Sequence, residues 1–348
     1  MLDGWQHDPE VDAWLVPIDP VPLPPFDRLL RIKYVRTLIT QLLYWPLLFR
    51  QLRRADVVHV FSASYFSFLL APLPAVIVSR LLGKAVVLNY HSGEAQDHLQ
   101  RSAIARRTLR RHVDLNVVPS AFLQDVLASF GIASEVVANT IDLSEFRYRV
   151  RNDLRPRLLS TRNFEANYNV ACTLRAFAIV QRQYPDASLT LVGSGSQERT
   201  LRALAADLGL RDVTFAGCVS PSEIPRYYAA ADLYVQTPAI DNMPLSVLEA
   251  FASGLPVVST RVGGIPSLLT DGVHGMLAPS DDAPAVAARI VQLLDDPRLA
   301  RHLATAAYDS CGKYDWASAR PRWLAAYRSA LARHTGNNVE CDSIACAN

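Results

Sequence analysis

Two acidic residues, Asp241 and Glu249, stand eight positions apart in the stretch IDNMPLSVLEAFASGLPVVST, residues 240–260. Pro244 and Gly254 delimit a helix here, because proline is tolerated in a first helical turn and glycine is favoured just past the last. The apolar run PVVST predicts a buried strand directly afterwards. The start of such a helix presents free N–H groups and a positive dipole end, which favour an anion such as phosphate. An acid on each side of that anion suits the hydroxyls of a sugar nucleotide.

Strands and helices alternate along the rest of the chain, and each predicted strand is a continuous apolar run. The strands are predicted over residues 11–18, 55–63, 84–90, 114–120, 134–138, 158–161, 188–193, 213–217, 233–237 and 256–260. The other helices are predicted over residues 27–54, 65–82, 95–112, 121–130, 170–184, 196–208, 221–230, 282–295, 297–311 and 316–334. Apolar strands that alternate with helices indicate parallel sheets covered on both faces. The expected fold class is α/β, with two doubly wound, Rossmann-like domains.

A polar and charged segment, residues 139–156, interrupts this alternation. The chain has 348 residues, more than one hydrophobic core usually holds. We therefore predict an N-terminal domain over residues 1–145, a C-terminal domain over residues 146–317, a helix over residues 318–335 that packs back towards the first domain, and a disordered tail over residues 336–348.

Positive charge is concentrated in the first third of the chain. Residues 28–113 contain 14 Lys or Arg and 3 Asp or Glu, although the formal net charge of the whole chain is only +2. Such a block suggests an anionic partner, either a membrane surface or a charged acceptor, and we expect no nucleic-acid partner.

Cysteine usage and hydropathy indicate a cytoplasmic protein. The five cysteines have no metal-ligand spacing and fit a reducing compartment. The Asp-Asp pairs at 281–282 and 295–296 are predicted to be helix caps or solvated charges rather than metal ligands. The N-terminal segment MLDGWQHDPEVD is polar and acidic, unlike a secretory signal. The longest apolar stretch, residues 65–82, contains two prolines and an arginine and is predicted as a buried helix rather than a membrane span. We expect a cytoplasmic location with peripheral attachment to the inner face of the membrane.

Five segments in order carry a family resemblance. They are STRNFEANYNV (160–170), LTLVGSGSQERTL (189–201), VTFAGCVSPSEIPRYYAAADLYV (213–235), the paired-acid stretch (240–260) and RVGGIPSLLTDGVHGML (261–277). Together they resemble the retaining, nucleotide-sugar-dependent glycosyltransferases with the GT-B fold, over roughly residues 55–335. The resemblance implies two Rossmann-like domains facing a cleft, with the donor against the second and the acceptor against the first. It also implies a transfer step that needs no metal ion or other cofactor.

The resemblance gives the paired-acid stretch a role in donor binding. Glu249 would accept hydrogen bonds from the ribose hydroxyls of the donor. Asp241 stands where the family usually has Glu, and it would hold hydroxyls of the transferred sugar near the reacting carbon. The backbone at the start of the helix would meet the distal phosphate. The donor-binding residues predicted there are Asn242, Met243, Leu245 and Pro244, of which the proline has no N–H to donate.

Other site residues follow from the same resemblance. Arg162 would neutralise the charge that develops on the leaving nucleoside diphosphate. The family usually has a lysine five or six residues later, where this chain has Asn167 and Tyr168. Asn167, Gly193 and Val219 are predicted on the donor side. The turn at Gly193 is equally well explained as a tight connection from strand to helix.

His91 is the candidate in the first domain, since it follows the predicted strand 84–90 and ligands of parallel sheets gather at such ends. It would contact the transferred sugar or assist deprotonation of the acceptor, and a structural role is an equal alternative. The family's opening strand and glycine-rich loop have no counterpart in this sequence. We therefore expect the first domain to lack its first strand.

These features predict a retaining glycosyltransferase of polysaccharide biosynthesis. It would move a sugar from a UDP- or GDP-sugar to a glycan, lipid-linked or small-molecule acceptor. One alternative is a non-catalytic GT-B protein that binds a sugar nucleotide or a partner, which the missing lysine favours. Another is a sugar-nucleotide epimerase of the same architecture. A phosphorylase would need a cofactor lysine, and the second domain contains only Lys313.

Overall fold

The structure is a computed structural model that describes residues 2–6, 8–20 and 33–336. Its strands, in chain order, are β1 Val57–Phe61, β2 Ala85–Asn89, β3 Leu115–Val118, β4 Ser134–Val136, β5 Arg157–Thr161, β6 Ser188–Val192, β7 Val213–Gly217, β8 Leu233–Val235, β9 Val257–Thr260 and β10 Met276–Ala278. Its α-helices are α1 Leu2–Trp5, α2 Lys33–Leu52, α3 Phe66–Leu70, α4 Pro72–Leu81, α5 Ala95–Arg101, α6 Ala103–Arg111, α7 Ala121–Ser129, α8 Val170–Gln183, α9 Glu198–Asp207, α10 Ile224–Ala230, α11 Leu245–Ala252, α12 Ile265–Leu268, α13 Ala283–Asp295, α14 Pro297–Asp309 and α15 Trp316–Thr335.

These elements form two compact units. Unit 1 contains the described residues up to Pro119, Leu123–Val137 and those from Arg320 onward. Unit 2 contains Ser120–Phe122 and Ala138–Ala319. Each unit has its own parallel sheet, so the predicted α/β class with two parallel sheets is confirmed.

Unit 2 is built on a six-stranded parallel sheet in the order β10-β9-β8-β5-β6-β7. The chain runs outward from β5 through β6 to β7, then returns to the other side of β5 and continues through β8 to β10. This is the strand order of a doubly wound dinucleotide-binding sheet, with its switch point between β5 and β8. Ligands of such sheets bind in the crevice at the carboxyl ends of the two strands at the switch point.

Both faces of the unit 2 sheet are covered, and β5 shows why its strands are continuously apolar. Successive side chains of a strand point to opposite faces. Leu158 packs into one hydrophobic cluster, with α8 and α13, whereas Leu159 packs into a second cluster, with α10 and α11. A strand buried on both sides has no polar face, so its sequence reads as an unbroken apolar run.

The predicted polar segment 139–156 belongs to unit 2, and one of its arginines is anchored inside the unit. Arg151 is buried and donates hydrogen bonds to the carbonyls of Ser253, Gly254 and Tyr228 at 2.7 to 3.0 Å. Asp232, also buried, accepts from Arg149 of the same segment and from Arg157 of β5. These charges therefore pair inside unit 2, near the amino ends of β5 and β8. The switch-point crevice lies at the other ends of the same strands.

Unit 1 contains a four-stranded parallel sheet in the order β1-β2-β3-β4, as far as the structure describes it. All five residues of β2 are buried. Two helices that the sequence predicts as continuous are each broken in two. The predicted helix over residues 65–82 breaks at Ala71, before the prolines of α4, and the one over residues 95–112 breaks at Ser102. Ser102 ends α5 and caps α6 by accepting from the Ala105 N–H at 3.1 Å.

The strand predicted over residues 11–18 is wrong. These residues form no strand, and most are exposed, so this apolar run is not buried in a sheet. The acids just before them, Asp8 and Glu10, are ion-paired with Arg320 of α15. Within the described residues of unit 1, the sheet begins at β1.

Two predictions fall partly outside the described residues. The helix predicted over residues 27–54 is described from Lys33 to Leu52, and residues 27–32 lie outside. Of the tail predicted over residues 336–348, only Gly336 is described.

One residue of each predicted Asp-Asp pair caps a helix. Asp282 accepts from the Ala285 N–H, and Asp296 from the Arg298 and Leu299 N–H groups.

Candidate functional site

The switch point of the unit 2 sheet brings together two of the predicted residues from distant parts of the sequence. Arg162 directly follows β5, and Asp241 lies in the loop between β8 and α11. The Arg162 guanidinium donates a hydrogen bond from Nη2 to Asp241 Oδ2. Its Nη1 donates to Ser246 Oγ on α11 at 3.0 Å. The side chains of the ion pair are only 10% and 14% exposed, so this is a partly buried pair rather than a surface one.

Tyr168 covers the other side of the same guanidinium. The Arg162 Cζ lies 4.1 Å from the centroid of the Tyr168 ring, a cation–π contact. Arg162 Nε is buried and has no hydrogen-bond partner among the described residues. Thus a tyrosine holds the arginine where the family resemblance would place a second cation.

A buried network of polar side chains lies next to the ion pair of Arg162 and Asp241. Ser246 Oγ, which accepts from Arg162, lies 3.2 Å from Gln236 Oε1. Gln236 Nε2 donates to Ser259 Oγ at 3.1 Å, which links the end of β8 to β9. Ser246 and Gln236 were not among the predicted site residues, since a serine in a first helical turn and a glutamine after a strand carry no distinctive spacing.

Glu249 projects from the second turn of α11, as predicted. The buried Tyr228 of α10 donates a hydrogen bond to Glu249 Oε2 at 2.7 Å, and Thr161 Oγ1 lies 2.6 Å from the Tyr228 hydroxyl. Burial raises the pKa of Glu249, and the Tyr228 hydrogen bond and the nearby Arg162 charge offset only part of that rise. Burial also raises the pKa of Tyr228 well above its ordinary value, so this phenol stays protonated.

The start of α11 lies close to the ion pair. Asn242 and Met243 are buried, and Leu245 is exposed. The Asn242 N–H donates to Asp241 Oδ1 at 2.8 Å, and Pro244 occupies the cap position of the helix. Asn139 Nδ2 donates to the Met243 carbonyl at 3.0 Å and anchors the loop.

Two glycines allow the loop before α11 to pack against another loop. A Cβ on Gly263 would lie 2.0 Å from the Asp241 carbonyl oxygen, and a Cβ on Gly264 would lie 2.0 Å from that of Asn242. Gly263 also has a φ of +53°, a left-handed conformation that favours glycine. The Gly264 N–H donates to the Asp241 carbonyl at 3.0 Å. Only glycine permits this approach, so the Gly-Gly pair fixes the position of Asp241.

The predicted donor-side residues Gly193, Asn167 and Val219 lie around the same edge of the sheet. Gly193 has a φ of +146°, and a Cβ there would lie 2.2 Å from the Arg162 carbonyl oxygen. Glycine is therefore required at position 193, because the loop after β6 packs tightly on the loop after β5. The Asn167 carbonyl accepts from the Ala239 N–H at 2.8 Å, and Val219 packs at the edge of the hydrophobic cluster that contains Tyr228.

His91 belongs to unit 1 and follows β2. Its N–H donates to Ser62 Oγ at 3.0 Å, and its ring lies 6.3 Å from that of Phe61. Burial lowers the pKa of His91 to about 4, so the imidazole is neutral at pH 7. A neutral imidazole can accept a proton.

The described residues contain neither a metal-binding cluster nor a helix that could span a membrane. Within residues 2–6, 8–20 and 33–336, no group of three or more His, Cys, Asp or Glu side chains is placed to hold a metal ion. Among the helices described, none combines the length and apolar character needed to cross a membrane.

Two family models match consecutive parts of the chain. The model for Glycosyl transferases group 1 matches residues 145–310, and the model for Glycosyltransferase Family 4 matches residues 3–145. The chain belongs to the glycosyltransferases that these two models together describe. The group 1 match contains the whole site described above, including Arg162, Asp241 and Glu249.

Relatives of this chain are also named as sugar transferases. It is 26% identical over 289 residues to the sulfoquinovosyl transferase of Arabidopsis thaliana, over 76% of this chain and 55% of that protein. It is 33% identical over 141 residues to the GDP-mannose-dependent alpha-(1-6)-phosphatidylinositol monomannoside mannosyltransferase of Mycolicibacterium smegmatis, over 38% of this chain and 37% of that protein. The chain thus spans about half or less of the length of these two relatives.

The fold of this family member is also that of a solved structure. Anabaena HepE, crystallised in complex with UDP-glucose, superposes with a TM-score of 0.71 and 21% identity, over 82% of each chain. The GT-B fold inferred from the sequence is confirmed.

Proposed function

We propose that this protein is a glycosyltransferase that moves a sugar from a UDP- or GDP-sugar to an acceptor, with retention of anomeric configuration. The observation that carries this proposal is the meeting of Arg162, Asp241 and Glu249 at the switch point of a doubly wound sheet, in a chain of this family. A cation and two carboxylates at such a point suit a diphosphate flanked by hydroxyl groups.

The diphosphate would lie at the start of α11, against Arg162. In the structure Asp241 neutralises this arginine. A bound diphosphate would take over the Arg162 guanidinium, and Asp241 would be released to accept from hydroxyls of the transferred sugar. As the bond between sugar and phosphate breaks, negative charge develops on the diphosphate, and Arg162 would stabilise it.

The nucleoside would extend from the diphosphate towards Glu249. The proposed role of this carboxylate is to accept hydrogen bonds from the ribose hydroxyls, which a single carboxylate can do for both at once. Retention and independence of a metal ion are part of the proposal because the family resemblance implies them.

For the acceptor we propose a glycan or a lipid-linked molecule. A relative of this chain is named as a phosphatidylinositol monomannoside mannosyltransferase, which supports the lipid-linked class. In unit 1, α2 exposes Leu38 and Leu42 together with Arg36 and Arg50. Apolar and basic side chains on one helix suit peripheral attachment to an anionic membrane on the cytoplasmic side.

The test is transfer of a radiolabelled sugar from a panel of UDP- and GDP-sugars to glycan and lipid acceptors, with wild type and Asp241→Ala. We expect transfer by the wild type, at least a hundredfold less by the variant, and a product with the anomeric configuration of the donor by NMR. Binding of a sugar nucleotide without transfer to any acceptor would contradict the proposal. It would favour the non-catalytic alternative, for which Tyr168 in place of the family's lysine is the supporting observation.

A further inference from the structure

Glu249 receives its orientation from a single neighbour. Among the residues that the structure describes, its carboxylate accepts one hydrogen bond, from the Tyr228 hydroxyl to Oε2 at 2.7 Å. A carboxylate held at one oxygen cannot rotate freely about its last bond, so this contact sets where the other oxygen lies.

Tyr228 is well placed to hold that orientation. It is fully buried, with its ring 5.7 Å from the Phe146 ring in an edge-to-face contact and 5.7 Å from the Tyr234 ring in a stacked one. Packing on both sides leaves the phenol little freedom to move. Its hydroxyl is therefore a fixed donor on α10 that faces a ligand-binding helix, α11.

The direction of the hydrogen bonds can be assigned from the groups involved. A phenol has one hydrogen to donate, and the Glu249 carboxylate at 2.7 Å is a stronger acceptor than the Ser246 carbonyl at 3.1 Å. Thr161 Oγ1, at 2.6 Å, then donates to the phenol oxygen. The chain Thr161 to Tyr228 to Glu249 thus runs from the end of β5 to the site.

We propose that Tyr228 is a positioning residue of the donor site, which holds the Glu249 carboxylate ready to accept the ribose hydroxyls of a nucleoside diphosphate. This inference rests on the proposed function and adds to it a residue that does not itself touch the ligand. Preorganising the carboxylate removes the entropic cost of ordering it when the nucleotide binds.

The experiment measures dissociation constants by calorimetry for UDP, GDP and their 2′,3′-dideoxy counterparts, with wild type, Tyr228→Phe, Glu249→Ala and the double variant. Tyr184→Phe is the control, since it removes a phenol hydroxyl that bonds Asp295 on another face of unit 2. Circular dichroism establishes that each variant is folded. We expect Tyr228→Phe to weaken binding of the preferred nucleotide about fivefold, the effect of one hydrogen bond. It should change binding of the dideoxy nucleotide less than twofold, and add nothing in the Glu249→Ala background.

Two results would overturn the inference alone: equal weakening of both nucleotides by Tyr228→Phe, which indicates a merely structural phenol, or unchanged binding of both. A wild-type protein that binds neither nucleotide would contradict the proposed function as well. The two failures are therefore distinguishable.

Discussion

At the scale of the residue, the groups proposed to bind the donor contact other side chains of the site. Arg162 pairs with Asp241, and Tyr228 donates to Glu249. Each contact satisfies a charge that burial would otherwise make costly. Removing one partner would leave the other unpaired in a buried setting.

Asp241→Ala should destabilise the free protein by about 2 to 3 kcal/mol, because it leaves the largely buried Arg162 without its counter-charge. UDP or GDP should then raise the melting temperature of the variant more than that of wild type, since the diphosphate supplies the missing anion. Glu198→Gln is the control, because its pair with Arg202 is exposed and worth less than about 1 kcal/mol. A smaller ligand-induced shift in Asp241→Ala than in wild type would contradict this account of the pair.

Glu249→Gln should remove a pH-dependent cost of folding. Because burial raises the pKa of Glu249, the folded protein binds a proton that the unfolded chain releases, and this contribution is lost as the pH rises through the raised pKa. The variant should therefore gain stability relative to wild type as the pH rises above about 4, near the ordinary pKa of glutamate. Thermal unfolding at several pH values measures the difference, with the exposed Asp153→Asn as control. A difference that is constant or reversed over this range would be inconsistent with the raised pKa.

The site residues that the sequence revealed are those with a family motif or a fixed spacing. Arg162, Asp241 and Glu249 could be named in advance, and the structure places the first two in contact. Tyr228, Ser246 and Gln236 could not, because their importance lies in hydrogen bonds between segments far apart in the chain. Sequence spacing does not encode which buried hydroxyl faces which carboxylate.

At the scale of the element, the loop from β9 to α12 supports the loop from β8 to α11. Gly263 and Gly264 touch the backbone of Asp241 and Asn242, so any side chain there would push the ion pair out of place. The position of the candidate site thus depends on backbone packing as well as on its own side chains.

Gly263→Ala should weaken nucleotide binding at least tenfold and lower the melting temperature. Gly272→Ala is a closely matched control: its φ is +71°, against +53° at Gly263, but nothing lies within 4 Å of the added Cβ. Both variants should incur the left-handed strain of about 1 kcal/mol. Only Gly263→Ala adds a clash with the Asp241 carbonyl. Equal effects of the two substitutions on nucleotide affinity would contradict the packing argument.

Most elements of the chain could be predicted because apolar strands and capped helices leave local signals. The strands β5 to β9 and the helix after Pro244 fall where the sequence predicts them. The prediction of a strand over residues 11–18 was wrong because an apolar run forms a strand only if a neighbouring strand pairs with it. The breaks at Ala71 and Ser102 were missed because apolar and charged periodicity continues across them.

At the scale of the whole molecule, the excess of basic residues over residues 28–113 and most of the exposed large apolar side chains belong to unit 1, whereas the candidate donor site lies in unit 2. The long helix α15 begins in unit 2 and continues in unit 1, where Arg320 and Arg328 bind Asp8 and Glu10. In the proposed function, the sheet of unit 2 binds the nucleotide and unit 1 meets the anionic surface or acceptor.

The full chain should bind liposomes that contain anionic lipid, and binding should weaken as salt is raised from 0.05 to about 0.5 M, because exposed arginines are screened. Replacing the exposed Leu38 and Leu42 by serine should reduce binding in a sedimentation assay. The control replaces exposed Leu208 of unit 2 by serine. Salt-insensitive binding, or none, would remove membrane attachment from the proposal.

The most direct measurement of the central claim is calorimetric titration of UDP- and GDP-sugars into wild type, Arg162→Ala and Glu249→Ala. The account predicts saturable binding of at least one sugar nucleotide by the wild type. Each variant should weaken it at least tenfold, since each loses charge-assisted hydrogen bonds to the donor. Absence of binding to the wild type, or equal affinity in all three proteins, would contradict a sugar-nucleotide site at the switch point of the unit 2 sheet.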